Sequence, residues 1–163
     1  MVGAGKPKPI YCIDTSSLVH AWRRAYPPKR FSGIWAAIDQ LIDDGRLLAT
    51  IEVYHELKRK DDEIFEWAKA RKEFMFADID DDVQSEVVHI MQTFPKLVDT
   101  GKGKSGGDPF VIAQAMAADP RLVVVTQEAG GSADKPRIPY VCDQLGVRHI
   151  DLLTLIEEED WTF

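Results

Sequence analysis

Cysteine is scarce in this chain, and basic charge is outnumbered. The two cysteines, Cys12 and Cys142, cannot form a disulfide framework. Each falls in an apolar stretch, Cys12 in an expected strand and Cys142 in an expected helix, where a thiol behaves as a small buried hydrophobe. Such usage suits a reducing compartment and sets the expectation of a cytoplasmic protein. No apolar run approaches the roughly 20 residues a membrane span needs. Met1 to Pro9 has lysines but no hydrophobic segment behind them, so no secretory signal is expected; residues 1–9 read as a flexible lead-in. Lysine and arginine number 20 against 27 acids, a net charge of −7. That excludes a general nucleic-acid coat, which would be basic. His20, His55, His89 and His149 show no ligand spacing and read as surface or packing residues.

What is present is an ordinary core and a regular alternation of elements. Of 163 residues, 45% are hydrophobic, enough for one packed domain, expected over residues 10–160. Residues 9–13 read as a short buried strand. Thr15-Ser16-Ser17 then opens a helix through Trp22, broken at Tyr26-Pro27-Pro28. Ile34, Trp35, Ile38, Leu41 and Ile42 recur at helical spacing between Phe31 and Asp44, and Gly45 ends that helix. Arg46–Ile51 is a second strand. Helices are expected at 52–60 and 63–72, a short edge strand at 73–77, and a helix at 83–94 behind Asp80-Asp81-Asp82, whose charges favour its N-terminus. A glycine- and lysine-rich loop covers 100–107, and a helix follows at 109–118. Leu122–Thr126 is a strand rich in β-branched residues. A long loop runs from Gln127 to Pro136, a helix spans 138–145 with Gly146 as its cap, a strand 147–150 and a final helix 152–159. The tail Trp161-Thr162-Phe163 is open to either packing or exposure. Strands alternating with helices predict an α/β fold: a single three-layer α/β/α domain around a central parallel sheet.

Several motif fragments fail on context. Gly101-Lys102-Gly103-Lys104-Ser105-Gly106 fits G-x-G-x-x-G, with Glu128 beyond it, but that fingerprint needs a strand immediately before it. Here a helix broken at Pro95 precedes. A phosphate-binding P-loop ending in Lys104-Ser105 would need glycine at Val98. His55-Glu56 begins H-E-x-x-H, but Arg59 stands where the second histidine belongs. Asp14-Thr15-Ser16 lacks the second aspartate of an aspartyl phosphatase.

Four acids survive this filter. Asp14 ends the first strand, Glu56 lies on the helix after the second, Asp108 opens the helix that begins Pro109-Phe110, and Glu128 follows the strand 122–126. In an open parallel sheet the carboxyl ends of the strands share one edge, where ligands bind. Acids gathered there repel one another unless a divalent cation holds them, and an all-oxygen set suits Mg²⁺ or Mn²⁺. Bound cations also supply the positive charge to meet a phosphate, so the acidic balance does not exclude a metal-dependent nuclease. Each acid has a plainer reading. Asp14 and Asp108 both precede helices as caps would, Glu56 could be solvated, and Glu128 could be an ordinary loop acid.

The four segments together resemble the PIN-domain nucleases, closest to VapC-like toxin ribonucleases. Tyr11-Cys12-Ile13-Asp14-Thr15-Ser16-Ser17-Leu18 is similar to their first strand and loop. Val53-Tyr54-His55-Glu56-Leu57 is similar to their glutamate-bearing helix, and Gly107-Asp108-Pro109-Phe110-Val111-Ile112-Ala113 to their aspartate-bearing helix start. Val124-Val125-Thr126-Gln127-Glu128 is similar to their strand ending in Thr-x-Asp or Thr-x-Glu. The order runs through residues 10–152. The resemblance implies Mg²⁺- or Mn²⁺-dependent hydrolysis of RNA, with Asp14 and Asp108 as direct ligands and Glu56 and Glu128 acting through water or a second ion. It also implies that Ser16 and Thr126 orient the carboxylates. Arg23, Arg24, Lys102 and Lys104 become the expected RNA-backbone contacts, and an antitoxin and a homodimer the expected partners. Two departures stand out. Proline follows Asp108 where alanine is commoner, and the long loop after Glu128 carries Asp134, a rival for the fourth acid. The alternative is a non-catalytic PIN-like or receiver-like module that only binds a partner.

Overall fold

A computed structural model describes residues 7–60, 62–97 and 108–163, with Asp108 described by its backbone alone. Lys102, Lys104 and the glycine-rich loop lie outside the described residues. Five strands form one sheet: β1 (Tyr11–Ile13), β2 (Leu47–Thr50), β3 (Phe76–Ala77), β4 (Val123–Val125) and β5 (His149–Ile150). Every pairing is parallel, in the order β3-β2-β1-β4-β5. Strands this apolar are buried on both faces, as parallel sheets require; Tyr11, Cys12, Ile13, Val124 and Val125 are all fully buried.

The strand order creates a reversal. From β1 the chain moves outward to β2 and β3, then returns past β1 to β4 and on to β5. Right-handed crossovers put the two sets of connecting helices on opposite faces. The first set is α1 (Thr15–His20), α2 (Ser32–Asp43), α3 (Ile51–Lys60), α4 (Glu63–Lys69) and α5 (Lys72–Met75). The second is α6 (Asp81–Thr93), α7 (Asp108–Ala117) and α8 (Ile138–Leu145), with α9 (Leu152–Glu158) closing the chain. The packing agrees: α1 meets α3 and α2 meets α5, while α7 meets α6, α8 and strands β1, β2 and β4. The crevice at such a switch point opens between the carboxyl ends of β1 and β4.

Two stretches differ from expectation, and the tail, open to either outcome from the sequence, is placed. The helix expected over 63–72 stops at Lys69, and the strand expected from Glu73 begins only at Phe76 because Lys72–Met75 forms one helical turn instead. Lys72 and Glu73 hold the solvent side of that turn while Met75 is buried. Helix α1 runs on into a π-helical turn, Ala21–Ala25, before Tyr26 and the prolines. The C-terminal tail packs back in part: Trp161 is half-buried, and the Phe163 ring lies over Gly33, where an added Cβ would come within 2.9 Å of it.

Gly146 ends α8 in the left-handed conformation with open space around its Cα. Gly146→Ala therefore adds conformational strain without a clash. A loss of about 1 kcal/mol is expected, read as a lower urea midpoint with unchanged slope.

Candidate active site

Asp14 stands at the carboxyl end of β1, continuing the ladder by donating its N–H to Val125 O. It is 3% exposed. Asp14 is the N-cap of α1: Oδ1 accepts the Ser17 N–H at 2.9 Å. Capping uses one lone pair of one oxygen, so the carboxylate keeps acceptor capacity for other partners.

Two hydroxyls complete its surroundings. Thr126 Oγ1 donates to Asp14 Oδ2 at 2.7 Å. Ser16 Oγ lies 2.8 Å from both carboxylate oxygens. Each hydroxyl is itself oriented by a backbone donor. The Gln127 N–H donates to Ser16 Oγ at 3.1 Å, and the Glu128 N–H to Thr126 Oγ1 at 3.1 Å. With an acceptor lone pair of each hydroxyl so occupied, both protons turn toward Asp14. The expected supporting pair, Ser16 and Thr126, is therefore brought to Asp14 from segments 110 residues apart. Sequence reasoning did not assign the Ser17, Gln127 and Glu128 N–H groups; only the Asp-x-x-Ser capping spacing carried a signal for the first of them.

Burial pushes the Asp14 carboxyl above its usual range, and the hydrogen bonds from Thr126, Ser17 and Ser16 only partly oppose that. Nearby thiols respond in kind. Burial first, then the charge of Asp14, pushes Cys12 up to about 12. Cys142 on α8 is also raised, by burial and then by Asp143, Cys12, Asp14 and Glu128. Both cysteines are free and buried and take no part in the polar cluster.

The remaining acids are placed by their elements. Helix α7 runs antiparallel to the strands: Ala115 O accepts from Leu122 N at the start of β4, and Val111 O faces Cys12 Sγ in the middle of β1. Asp108 lies three residues further along, about 4.5 Å of helix. Asp14 lies two residues beyond Cys12, about 6.6 Å of strand. The backbone of Asp108 thus reaches the edge where Asp14 stands. Glu56 is 8% exposed and shares the buried face of α3 with Val53 and Leu57, one and a half turns below the end of β2. Glu128 is half-buried, and its backbone is tied to Thr126. Asp134 instead projects into solvent, 93% exposed, 3.8 Å from Lys96. Among the described residues no three His, Cys, Asp or Glu side chains gather as a metal-holding group; the side chain of Asp108 is outside that set.

The expected RNA contacts fare unevenly. Arg23 is engaged in an ion pair with Asp62, while Arg24 is exposed. Lys102 and Lys104 are outside the described residues.

Fold and site together define a class: a three-layer α/β domain with a parallel five-stranded sheet and a buried aspartate at its switch point. The chain belongs to the family described as a domain of unknown function, DUF4411, which matches residues 11–163. No functionally curated protein matches the sequence. Among solved structures, the chain is similar to one in the crystal structure of VapBC2 from Rickettsia felis bound to a DNA fragment from their promoter. The TM-score is 0.54 at 12% identity, over 87% of this chain and 98% of that one. At that identity the likeness establishes the shared fold. No helix among the described residues is long and apolar enough to cross a membrane.

Proposed function

We propose that this protein is a Mg²⁺- or Mn²⁺-dependent endoribonuclease of the PIN type, the toxin of a toxin–antitoxin pair, working in the cytoplasm. Its partners are then an RNA substrate, a cognate antitoxin and a second copy of itself. One observation carries the reading: a buried carboxylate, Asp14, is fixed by two backbone-oriented hydroxyls at the sheet's switch point.

A divalent cation fits the donor set. The acids expected to hold it, Asp14, Asp108, Glu56 and Glu128, are all hard oxygen donors. Burial disfavours the charged form of Asp14, and a bound cation reverses that penalty. Asp14 and Asp108 would hold the ion directly, with Glu56 and Glu128 completing the site. Held there, the ion would supply positive charge to meet the phosphodiester and Lewis acidity to lower the pKa of a water. Ser16 and Thr126 hold the Asp14 carboxylate in one rotamer, so that its geometry is set before the ion arrives.

The metal test needs no substrate. Binding to the folded state alone stabilises it by about 2.7 kcal/mol at a hundredfold excess over Kd. For a domain of this size that raises Tm by roughly 5–10 °C. Mg²⁺ or Mn²⁺ is expected to produce that rise, and Asp14→Asn to abolish it. A binding module without a metal site would respond to neither the ion nor the substitution. Chelator-sensitive cleavage of RNA by the purified chain is the direct test of activity.

A further inference from the structure

We propose that Lys135 and Arg137, on the loop between β4 and α8, grip the phosphodiester backbone of single-stranded RNA beside the carboxylate site; the proposal rests on the ribonuclease reading. The loop leaves the sheet at Thr126 and Gln127, both hydrogen-bonded into the Asp14 cluster. It ends where α8 begins, at the same carboxyl edge. Two bonds close a turn within it: Ser132 N–H to Lys135 O at 3.1 Å and Lys135 N–H to Ser132 Oγ at 3.2 Å. Gly130 and Gly131 take φ of +76° and +106°. At Gly131 the chain lies directly on Arg137: an added Cβ would sit 2.8 Å from Arg137 N and 3.0 Å from Arg137 Cβ. Pro136 is buried between the two cations. The segment that carries them is therefore folded against α8.

The charges are disposed for an anion. Lys135 and Arg137 are exposed. Among the described residues neither has a carboxylate partner, whereas Arg23, Arg46, Arg71, Arg148 and Lys96 each do. Asp134, the acid beside them, faces Lys96. In a chain of net charge −7, a polyanion approaching Asp14 and Glu128 meets repulsion, and two unpaired cations on the flanking loop supply local attraction. Arg23, by contrast, is already held by Asp62.

The test is binding of a short fluorescein-labelled single-stranded RNA to the intact protein in chelator, followed by anisotropy across a salt series. Removing one cation that meets a phosphate should reduce the slope of log K against log salt by about 0.7–1. Lys135→Ala and Arg137→Ala should each do so, and the double variant should sum them. Arg137→Lys should keep most of the slope. Lys69→Ala, on α4, removes the same charge elsewhere and should leave the slope intact. A double variant indistinguishable from Lys69→Ala overturns the proposal, as does absence of RNA binding by the parent. If the parent binds RNA with the predicted slope changes yet never cleaves it, the ribonuclease reading fails and the RNA grip stands. If it cleaves RNA and the slopes do not move, the grip alone fails.

Discussion

Asp14→Asn is expected to reduce RNA cleavage by more than the roughly 100-fold that loss of an outer-shell partner costs a metal site. That corresponds to more than about 2.7 kcal/mol of transition-state stabilisation. Asparagine keeps the size of the side chain and one oxygen, so the cap on the Ser17 N–H survives. What it removes is the negative charge. The stability consequence differs from the catalytic one. Burial raises the Asp14 pKa in the folded state, so the ionised form opposes folding at neutral pH. An acid raised in this way favours the fold at low pH and loses that contribution as pH rises toward the folded value. The amide escapes this penalty but gives up charge-assisted bonds from Thr126 and Ser16. The two effects offset, and the metal-free variant should melt within a few degrees of the parent. Activity undiminished in a well-folded Asp14→Asn protein would sink the site.

Thr126→Val separates position from charge in the same cluster. Valine fills the same volume but neither donates to Asp14 Oδ2 nor accepts from the Glu128 N–H. A fall of about 10–100-fold is expected, with Thr126→Ser close to the parent. If both replacements behave alike, the hydroxyl is not what orients the carboxylate.

Much of this arrangement can be read from residue order, and the rest fails for identifiable reasons. β1 and β4 are legible because Tyr11–Ile13 and Val123–Val125 are unbroken apolar runs that only a sheet covered on both faces accommodates. Asp14 is legible as the first polar residue after such a run. Its support is only half legible, because the Ser16–Thr126 meeting depends on β1 and β4 being neighbours, and strand order is a property of packing. The edge strand reads too long because Phe74, Met75 and Phe76 are apolar in succession, a pattern that helix and strand share. The rivalry between Glu128 and Asp134 is invisible to spacing, since burial separates them and composition does not.

Arg46→Ala is expected to be the most destabilising single change outside the apolar core, and to leave catalysis alone. Arg46 immediately precedes β2, at the amino edge of the sheet, opposite the site. Its guanidinium binds Glu159 bidentately at 2.8 and 2.6 Å, and its Nε–H donates to Pro9 O at 3.2 Å. Tyr11 Oη donates to the same carboxylate at 2.6 Å, and the guanidinium lies 5.9 Å from the Tyr11 ring centre. One cation thus joins the start of β1, the start of β2 and the end of α9. Arg46 and Glu159 are only 14% and 11% exposed, so this pair is not a screened surface bridge. Removing one member of this part-buried pair strands the other charge at a cost between that of an exposed bridge and that of a fully buried pair, about 2–3 kcal/mol, or roughly 5–10 °C in Tm for a domain of this size. The titrations give an independent signature. Its bonds to Arg46 hold Glu159 below the usual carboxylate range, while burial and then Glu159 hold Tyr11 above its own. A lowered acid stabilises the fold above its unfolded pKa, about 4.3 for glutamate. That contribution is lost as pH falls through the lowered folded value. The parent should therefore shed stability below about pH 4.3, and Arg46→Ala should lack this part of the acid limb. Replacing both members with apolar residues, Arg46→Met with Glu159→Leu, should recover much of the loss. If Arg46→Ala melted like the parent, the amino-edge anchor would be energetically idle. If it instead failed to cleave at temperatures where it remains folded, the two edges of the sheet would not be independent.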